Sequence, residues 1–343
     1  MKIQTLNIPM SFIGPLKINT QSFTEEITVP LATYETTLWP STNRGAKISR
    51  LTEGINVNII QECMTRSLLV EANSSLEAQK FCNQLQNNII VLQQIISKYS
   101  SFTKLKKIHT KIVAKLIYLR FEFYTGEAAG HNMTTLATQH IMEYILKNYI
   151  NIKYISLSAN FCVDKKNSAV NSILGRGKSL IAEMNIPQDI CERILRTSMD
   201  QIHELNIKKN LLGSIVAGSI ASANAHVANI LLAIYLSCGQ DSANIVEGSQ
   251  AITYTEIQIN SLYFSVTLPN IIVGTVGNGK NSLDAQNNLL HLGCVKENIG
   301  QNSRRLACII AATVLCGELS LLAALTNYKE LMRGHLLFER RKQ

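Results

Sequence analysis

The residues 158–166, Ser158-Ala-Asn-Phe-Cys-Val-Asp-Lys-Lys166, gather small polar groups, a carboxylate and two adjacent ammonium groups. A glycine-bracketed pair of cations follows at Gly175-Arg-Gly-Lys178. Cations fixed on a loop just past a strand stabilise negative charge building on a carbonyl oxygen. Read alone, the same residues also fit a solvated charge cluster beside a turn. Ser41-Thr-Asn-Arg-Gly45 offers a second site, a helix entry whose free N–H groups and Arg44 suit an anion. The competing reading there is an ordinary Ser41 cap with a solvated Arg44. His226 and Asn229, three apart on an apolar helix, read first as satisfied core polar groups.

The elements that must carry these residues follow from periodicity and punctuation. Lys153–Leu157 alternates like a half-buried strand leading into the loop. Residues 8–66 begin with turn signals at Pro9 and Gly14-Pro15 and contain a strand pattern that runs on to Pro40. Residues 68–156 differ: a helix spaced over Ser75–Lys98, two paired strands over Lys104–Phe123, a turn at Thr125–Met133, a helix through Lys147, then the strand. That order suggests a compact α+β insert. From 168 onward the chain reads as helical and rich in small residues, with an amphipathic helix over Pro187–Glu204. A long Gly/Ala/Ser helix from Gly213 to Cys238 stops at Gly239. Strands at Ala251–Thr255 and Ser261–Leu268, a glycine turn at Gly274–Gly279 and a helix over Asn302–Thr326 complete the chain.

Bulk properties bound the function. A chain of 343 residues, 46% hydrophobic and 17% charged, buries a large core and divides into two domains. The net charge of +9 invites polyanions, but the positive residues are not interleaved with aromatics on one face, so a phosphorylated small molecule fits better than nucleic acid. Eight cysteines without a Cys-x-x-Cys pair, and no signal-peptide pattern at the start, read as reduced thiols of a cytosolic protein. Gly213–Cys238 mimics a membrane span, but its serines, asparagines and His226 are expensive in lipid, so a buried helix is expected and no membrane partner.

Several motifs in order resemble one family: Val29-Pro-Leu-Ala-Thr-Tyr-Glu35 with Ser41–Gly45, Asp164-Lys-Lys166, Gly175-Arg-Gly-Lys-Ser179, the run from Gly213 ending Cys-Gly-Gln-Asp241, Gly274-Thr-Val-Gly277, Gly317-Glu-Leu-Ser-Leu321 and a late His335. The set resembles 3-hydroxy-3-methylglutaryl-coenzyme A (HMG-CoA) reductase, and Asp164-Lys165-Lys166 is similar to its class I, eukaryote-type branch. The resemblance implies four-electron reduction of a thioester to an alcohol through a mevaldehyde-level intermediate, with NADPH favoured and NADH as the alternative. The implied fold is α+β: a large helical and sheet domain over 1–67 and 158–343, built round the long small-residue helix, with an inserted ferredoxin-like cofactor domain over 68–157. A cytoplasmic homodimer is implied, with active sites between subunits and no metal. The alternatives are a divergent paralogue acting on another acyl-CoA and a non-catalytic CoA-binding homologue.

By the same resemblance, Lys165 stabilises the oxyanion, Glu35 supplies a proton, Asp241 bonds Lys165 and raises the pKa of Glu35, and His335 protonates the departing thiolate. Arg66, Ser158, Asn160, Asp164, Lys166, Lys209, His226 and Asn229 are implied as contacts to the hydroxymethylglutaryl part. Asn43, Arg44, Lys47 and Arg196 would face the phosphates of coenzyme A. The cofactor set is Ser101, Lys104, Glu127, Gly130, Asn132, Gly277 and Gly279. The chain departs from the pattern at the turn Gly126-Glu-Ala-Ala-Gly-His-Asn-Met133, where Ala129 and His131 stand for methionines. It departs again at Asn278, at Ser101 (where an arginine would meet the 2′-phosphate, a task left to Lys104, Lys106 and Lys107), and at Arg341, in place of a phosphorylatable serine.

Overall fold

The computed structural model describes residue 4 and residues 6–277, 279–280, 282–295 and 300–338, without the side chains of residues 335, 337 and 338. Among the described residues, nine strands form one mixed assembly: β1 Met10–Asn19, β2 Thr24–Ala32, β3 Ile55–Glu71, β4 Lys104–Val113, β5 Leu116–Tyr124, β6 Lys153–Ser156, β7 Gly177–Pro187, β8 Ile252–Gln258 and β9 Ser261–Ile271. The main path runs β2-β1-β3-β7-β9-β8, parallel only where β1 meets β3. The 17-residue β3 is the shared member. Its first half pairs with β7, and its second half pairs with β5 and β6 in a smaller sheet ordered β4-β5-β3-β6.

Two buried apolar clusters match these two sheets. One gathers residues from β1, β2, β7 and β9 round the helix Gln301–Leu325, and the other gathers β3, β5 and the helices Ser75–Asn87, Ile89–Ser97 and His131–Asn148. Gln301–Leu325 is apolar on nearly every side, as a helix enclosed by a core must be, and 94% of its span-length apolar window is buried. The helix Leu38–Leu51 crosses it so closely that a Cβ on Gly45 would lie 2.2 Å from the Cys316 carbonyl oxygen. Glycine is required there for backbone-to-backbone approach.

Several expected elements are corrected. The long helix over Gly213–Cys238 is broken: residues 206–212 wind as a π-helix, Gly213–Val216 adds one turn, and helix resumes only at Val227–Ser237. The break is held by polar residues inside it, since Asn224 Nδ2 donates to the carbonyls of Ser249 and Ala251. Side-chain bonds of this kind compete with helix continuation. The enclosed central helix is instead Gln301–Leu325. Pro187–Glu204 is likewise divided at Arg196, which adopts φ 58°, and Ser75–Lys98 is two helices meeting at Asn88. Ser41 does not open a helix, because Pro40 is tolerated in a first turn and the helix begins at Leu38. Residues 177–187, read as helical, form β7, whose inward positions Lys178, Leu180, Ala182, Met184 and Ile186 alternate strictly. The strand before the loop is an exposed edge, not half-buried.

Candidate active site

The loop 158–166 leaves the edge strand β6 and turns sharply three times. Asn160, Val163 and Lys165 all adopt positive φ, at 54°, 45° and 57°. Non-glycine residues in that region are strained, and the surrounding structure must hold them there. Four bonds do so: Ala159 N–H to Ser67 Oγ (3.1 Å), Thr65 Oγ1 to the Cys162 carbonyl (3.4 Å), Asn171 Nδ2 to the Val163 carbonyl (2.8 Å) and Lys165 N–H to Glu247 Oε1 (3.1 Å). Arg176 then braces the loop from below, with Nη1 on Glu247 Oε1 at 2.7 Å and Nη2 on Asp164 Oδ1 at 2.9 Å. Arg176 and Glu247 are 1% and 0% exposed. Burial pushes the Glu247 carboxyl up, while Arg176 and the Lys165 amide favour its ionised form.

The product of this bracing is the Lys165 ammonium, directed at Asp241 with Nζ to Oδ2 at 2.8 Å. The hydrogen bond to Asp241 raises the Lys165 pKa against its partial burial. Burial acts upward on Asp241, but the Lys165 ammonium more than offsets it and holds the carboxyl below its ordinary range. Both side chains remain about two-fifths exposed, at 39% and 43%. The site thus presents a permanent, anchored cation to solvent. Lys166, Ser158 and Asn160 are exposed beside it, Lys166 donating to the Asp164 carbonyl of its own loop. Arg66, on β3, keeps a buried Nε that bonds nothing among the described residues. Arg176 and Lys178 are not the free cations their glycine setting suggests: Lys178 is buried on Glu62 at 3.1 Å.

A second group lies elsewhere. Glu35, exposed just beyond β2, accepts from Asn229 Nδ2 at 3.1 Å. The two residues line a cavity of about 470 Å³ with Ser41, Arg44 and His226, and with Glu330, Leu331 and Gly334 of the helix Glu330–Phe338. Arg44 donates to Ser320 Oγ at 3.0 Å. Burial lowers its pKa, Glu330 opposes that, and Arg196 is near enough to add to the lowering. Asn43 accepts from the Gly14 amide, and Lys47 is exposed one turn on from Asn43 and Arg44. Glu318, fully buried, accepts from the amides of Ala225 (2.8 Å) and His226 (2.6 Å) and from Thr253 Oγ1 (2.8 Å), capping the start of helix Val227–Ser237. His226 Nε2 meets the Gly317 carbonyl at 2.9 Å. Lys209 bonds Asn210 at 2.9 Å, and burial lowers its pKa against the pull of Glu318.

Within one chain, Glu35 and Asp241 stand apart. Asn229, the partner of Glu35, stands at the start of the 11-residue helix Val227–Ser237, and Asp241 lies beyond its end. That helix is roughly 16 Å long. The His335 side chain, Asn278 and Arg341 lie outside the described residues.

The two glycine turns meet. Ala128 and Val276 form a bridge, and the Thr275 amide donates to the Glu127 carbonyl at 2.8 Å. A Cβ on Gly274 would fall 2.4 Å from the Ala129 nitrogen, so only glycine allows this approach. The Glu127 carboxylate accepts from the amides of Gly300 (2.5 Å) and Ser303 (2.7 Å) and from Thr275 Oγ1 (2.7 Å), which caps the start of the long helix. Gly130 caps helix His131–Asn148 with φ 93°, and Gly277, with φ 99°, faces open space. Gly279 abuts the backbone of Gly239, which brings this cradle to the foot of Asp241. Lys104 pairs with Tyr124 at the sheet end from which the first turn emerges, with Ser101 and Asn132 exposed nearby in the chain. A glycine-lined cradle at a helix N-terminus with a lysine beyond it fits the phosphates of a dinucleotide. Glu247 was missed from the sequence, and Glu318 entered only as part of the motif Gly317-Glu-Leu-Ser-Leu321 with no role attached.

A family model described as hydroxymethylglutaryl-coenzyme A reductase matches residues 2–340. The chain is 42% identical to a 3-hydroxy-3-methylglutaryl-coenzyme A reductase of Pyrococcus horikoshii, over 98% of this chain and 82% of that one. It is 41% identical to that of Aeropyrum pernix, over 98% and 80%, and 39% identical to reductase 1 of Hevea brasiliensis, over 99% and 60%. Among solved structures, the class II reductase from Streptococcus pneumoniae bound to NADPH in open conformations aligns with TM-score 0.75 over 95% of this chain and 86% of that one, at 17% identity, a likeness of fold.

Proposed function

The chain belongs to the hydroxymethylglutaryl-coenzyme A reductase family, and from that premise we propose that it reduces HMG-CoA to mevalonate and free coenzyme A at the expense of two NADPH. The observation that carries this reading is the Lys165–Asp241 pair, 2.8 Å apart, with Lys165 held on the strained loop that joins β6 to the segment before β7. When bound, the nicotinamide supplies hydride, first to the thioester carbonyl and then to the aldehyde. The carbonyl oxygen gains negative charge in each reduction, and the Lys165 ammonium, fixed beforehand by Asp241, stabilises it without reorganising. Glu35 delivers the proton that completes the alcohol, and His335 protonates the coenzyme A thiolate. Lys166 and the unpartnered Nε of Arg66 take the free carboxylate of the substrate, with Ser158, Asn160, Asp164, Lys209, His226 and Asn229 completing that pocket. Asn43, Arg44, Lys47 and Arg196 meet the phosphates of coenzyme A.

The reading assigns residues 68–157 as an inserted ferredoxin-like cofactor domain, supported by the strand order β4-β5-β3-β6 and its own apolar cluster. Residues 1–67 and 158–343 form the substrate domain. Gly130, Asn132, Gly277 and Gly279 hold the cofactor, Glu127 acts by clamping the turns, and Lys104 beside Ser101 serves the 2′-phosphate. The distance along helix Val227–Ser237 supports a homodimer, in which a second subunit supplies Glu35 to Lys165. The purified protein is expected to oxidise NADPH when given HMG-CoA, and NADH more slowly. Binding of HMG-CoA without oxidation of either nucleotide would overturn the reading.

A further inference from the structure

His131 opens the helix His131–Asn148 from the first glycine turn, and its ring is turned toward the loop that carries Lys165. Its Nε2 lies 3.6 Å from Asp164 Oδ1, just outside hydrogen-bond range, and this buried nitrogen bonds nothing among the described residues. Burial first, then the neighbouring Arg176 guanidinium, pull its pKa down to about 4, against the opposite pull of Asp164 and Asp241 and with a further push from Lys165. The ring is therefore neutral at physiological pH and carries one N–H. Asp164 Oδ1 is the atom already held by Arg176 Nη2, so Asp164 joins the cofactor turn on one side to the brace of the catalytic loop on the other.

We propose that His131 is a positioning residue for the reduction: its Nε2–H bonds Asp164 Oδ1 when the dinucleotide occupies the glycine cradle, and this contact locks the Lys165 loop in its working geometry. The inference rests on the reductase reading, to which it adds a coupling between cofactor turn and oxyanion cation. Glutamine places an amide N–H near the position of Nε2, whereas leucine fills the space without a donor and asparagine falls short. His131→Leu and His131→Asn are thus expected to lose kcat by about ten- to a hundredfold, the range for misplaced catalytic groups, with little change in KM for HMG-CoA, and His131→Gln to retain most of it. A residue that only filled space would be rescued by leucine as well as by glutamine.

The second readout needs no turnover. Proton–nitrogen spectra of the imidazole in the cofactor-free protein are expected to show Nε2 protonated, with its resonance moved by Asp164→Asn and again by added NADPH. A ring protonated on Nδ1, or insensitive to Asp164→Asn, would overturn the proposal, as would His131→Leu with wild-type kcat. If the wild-type protein fails to reduce HMG-CoA, the reductase reading falls, and the tautomer measurement still decides the His131–Asp164 contact.

Discussion

Lys165→Met is expected to lower kcat by about a hundred- to a thousandfold, the scale for removing a preorganised group that stabilises an oxyanion. KM should move far less, because the cation matters most when the carbonyl oxygen is charged. Lys165→Arg should not restore the rate, since a planar fork on a φ 57° loop cannot reproduce a point charge 2.8 Å from Asp241. The same variant tests how the site is divided. Glu35 and Asp241 sit at opposite ends of an 11-residue helix, so in the proposed dimer Lys165→Met and Glu35→Gln damage different halves of a shared site. Co-expressed, the two inactive chains should form mixed dimers with one intact site of two. With random pairing, that recovers about a quarter of wild-type activity in a symmetric dimer. Recovery indistinguishable from background would place all catalytic groups within one chain.

The second large effect concerns the brace. Glu247→Ala leaves the Arg176 guanidinium buried with only Asp164 to answer it, and removes the acceptor for the Lys165 amide. Removing one partner of a buried ion pair costs about 3–5 kcal/mol, measurable as a shift of the urea midpoint at constant m-value. The double variant Arg176→Met with Glu247→Leu should recover much of that loss, because neither charge is then left unpaired. It should not recover activity, since the strained turn at Lys165 loses its anchor. Additive losses in the double variant, or a loss below about 1 kcal/mol in the single one, would show that the pair does not carry the loop.

The charge of the loop was legible from the sequence because its groups are contiguous: Asp164, Lys165 and Lys166 sit behind a strand, whereas the pairing of Lys165 with Asp241 was expected only from the family resemblance. Asp241 was legible as the acid just beyond a glycine stop. What holds the loop was not. Glu247 and Arg176 come from segments 71 residues apart, and their pairing depends on how the short helix Ile245–Gly248 packs beside the start of β7 through β9. Reading β7 as helix hid this, because the small residues of that region masked a strict alternation from Lys178 to Ile186. The broken helix before Val227 was hidden for a different reason. Ser222 and Asn224 resemble tolerated polar residues in an apolar run until the structure shows Asn224 bonded to the chain leading into β8. Glu127, expected in the cofactor set, also caps the start of the long helix, a contact no local pattern announces.

The most direct test of the central claim, that one anchored cation serves two successive reductions, is the stoichiometry of a single progress curve. With HMG-CoA limiting, the nicotinamide absorbance lost is compared with the mevalonate formed and the free thiol released. The account predicts two NADPH consumed per mevalonate and per thiol, with no free aldehyde accumulating. One NADPH per thiol with aldehyde released, or thiol released without NADPH oxidation, would contradict it.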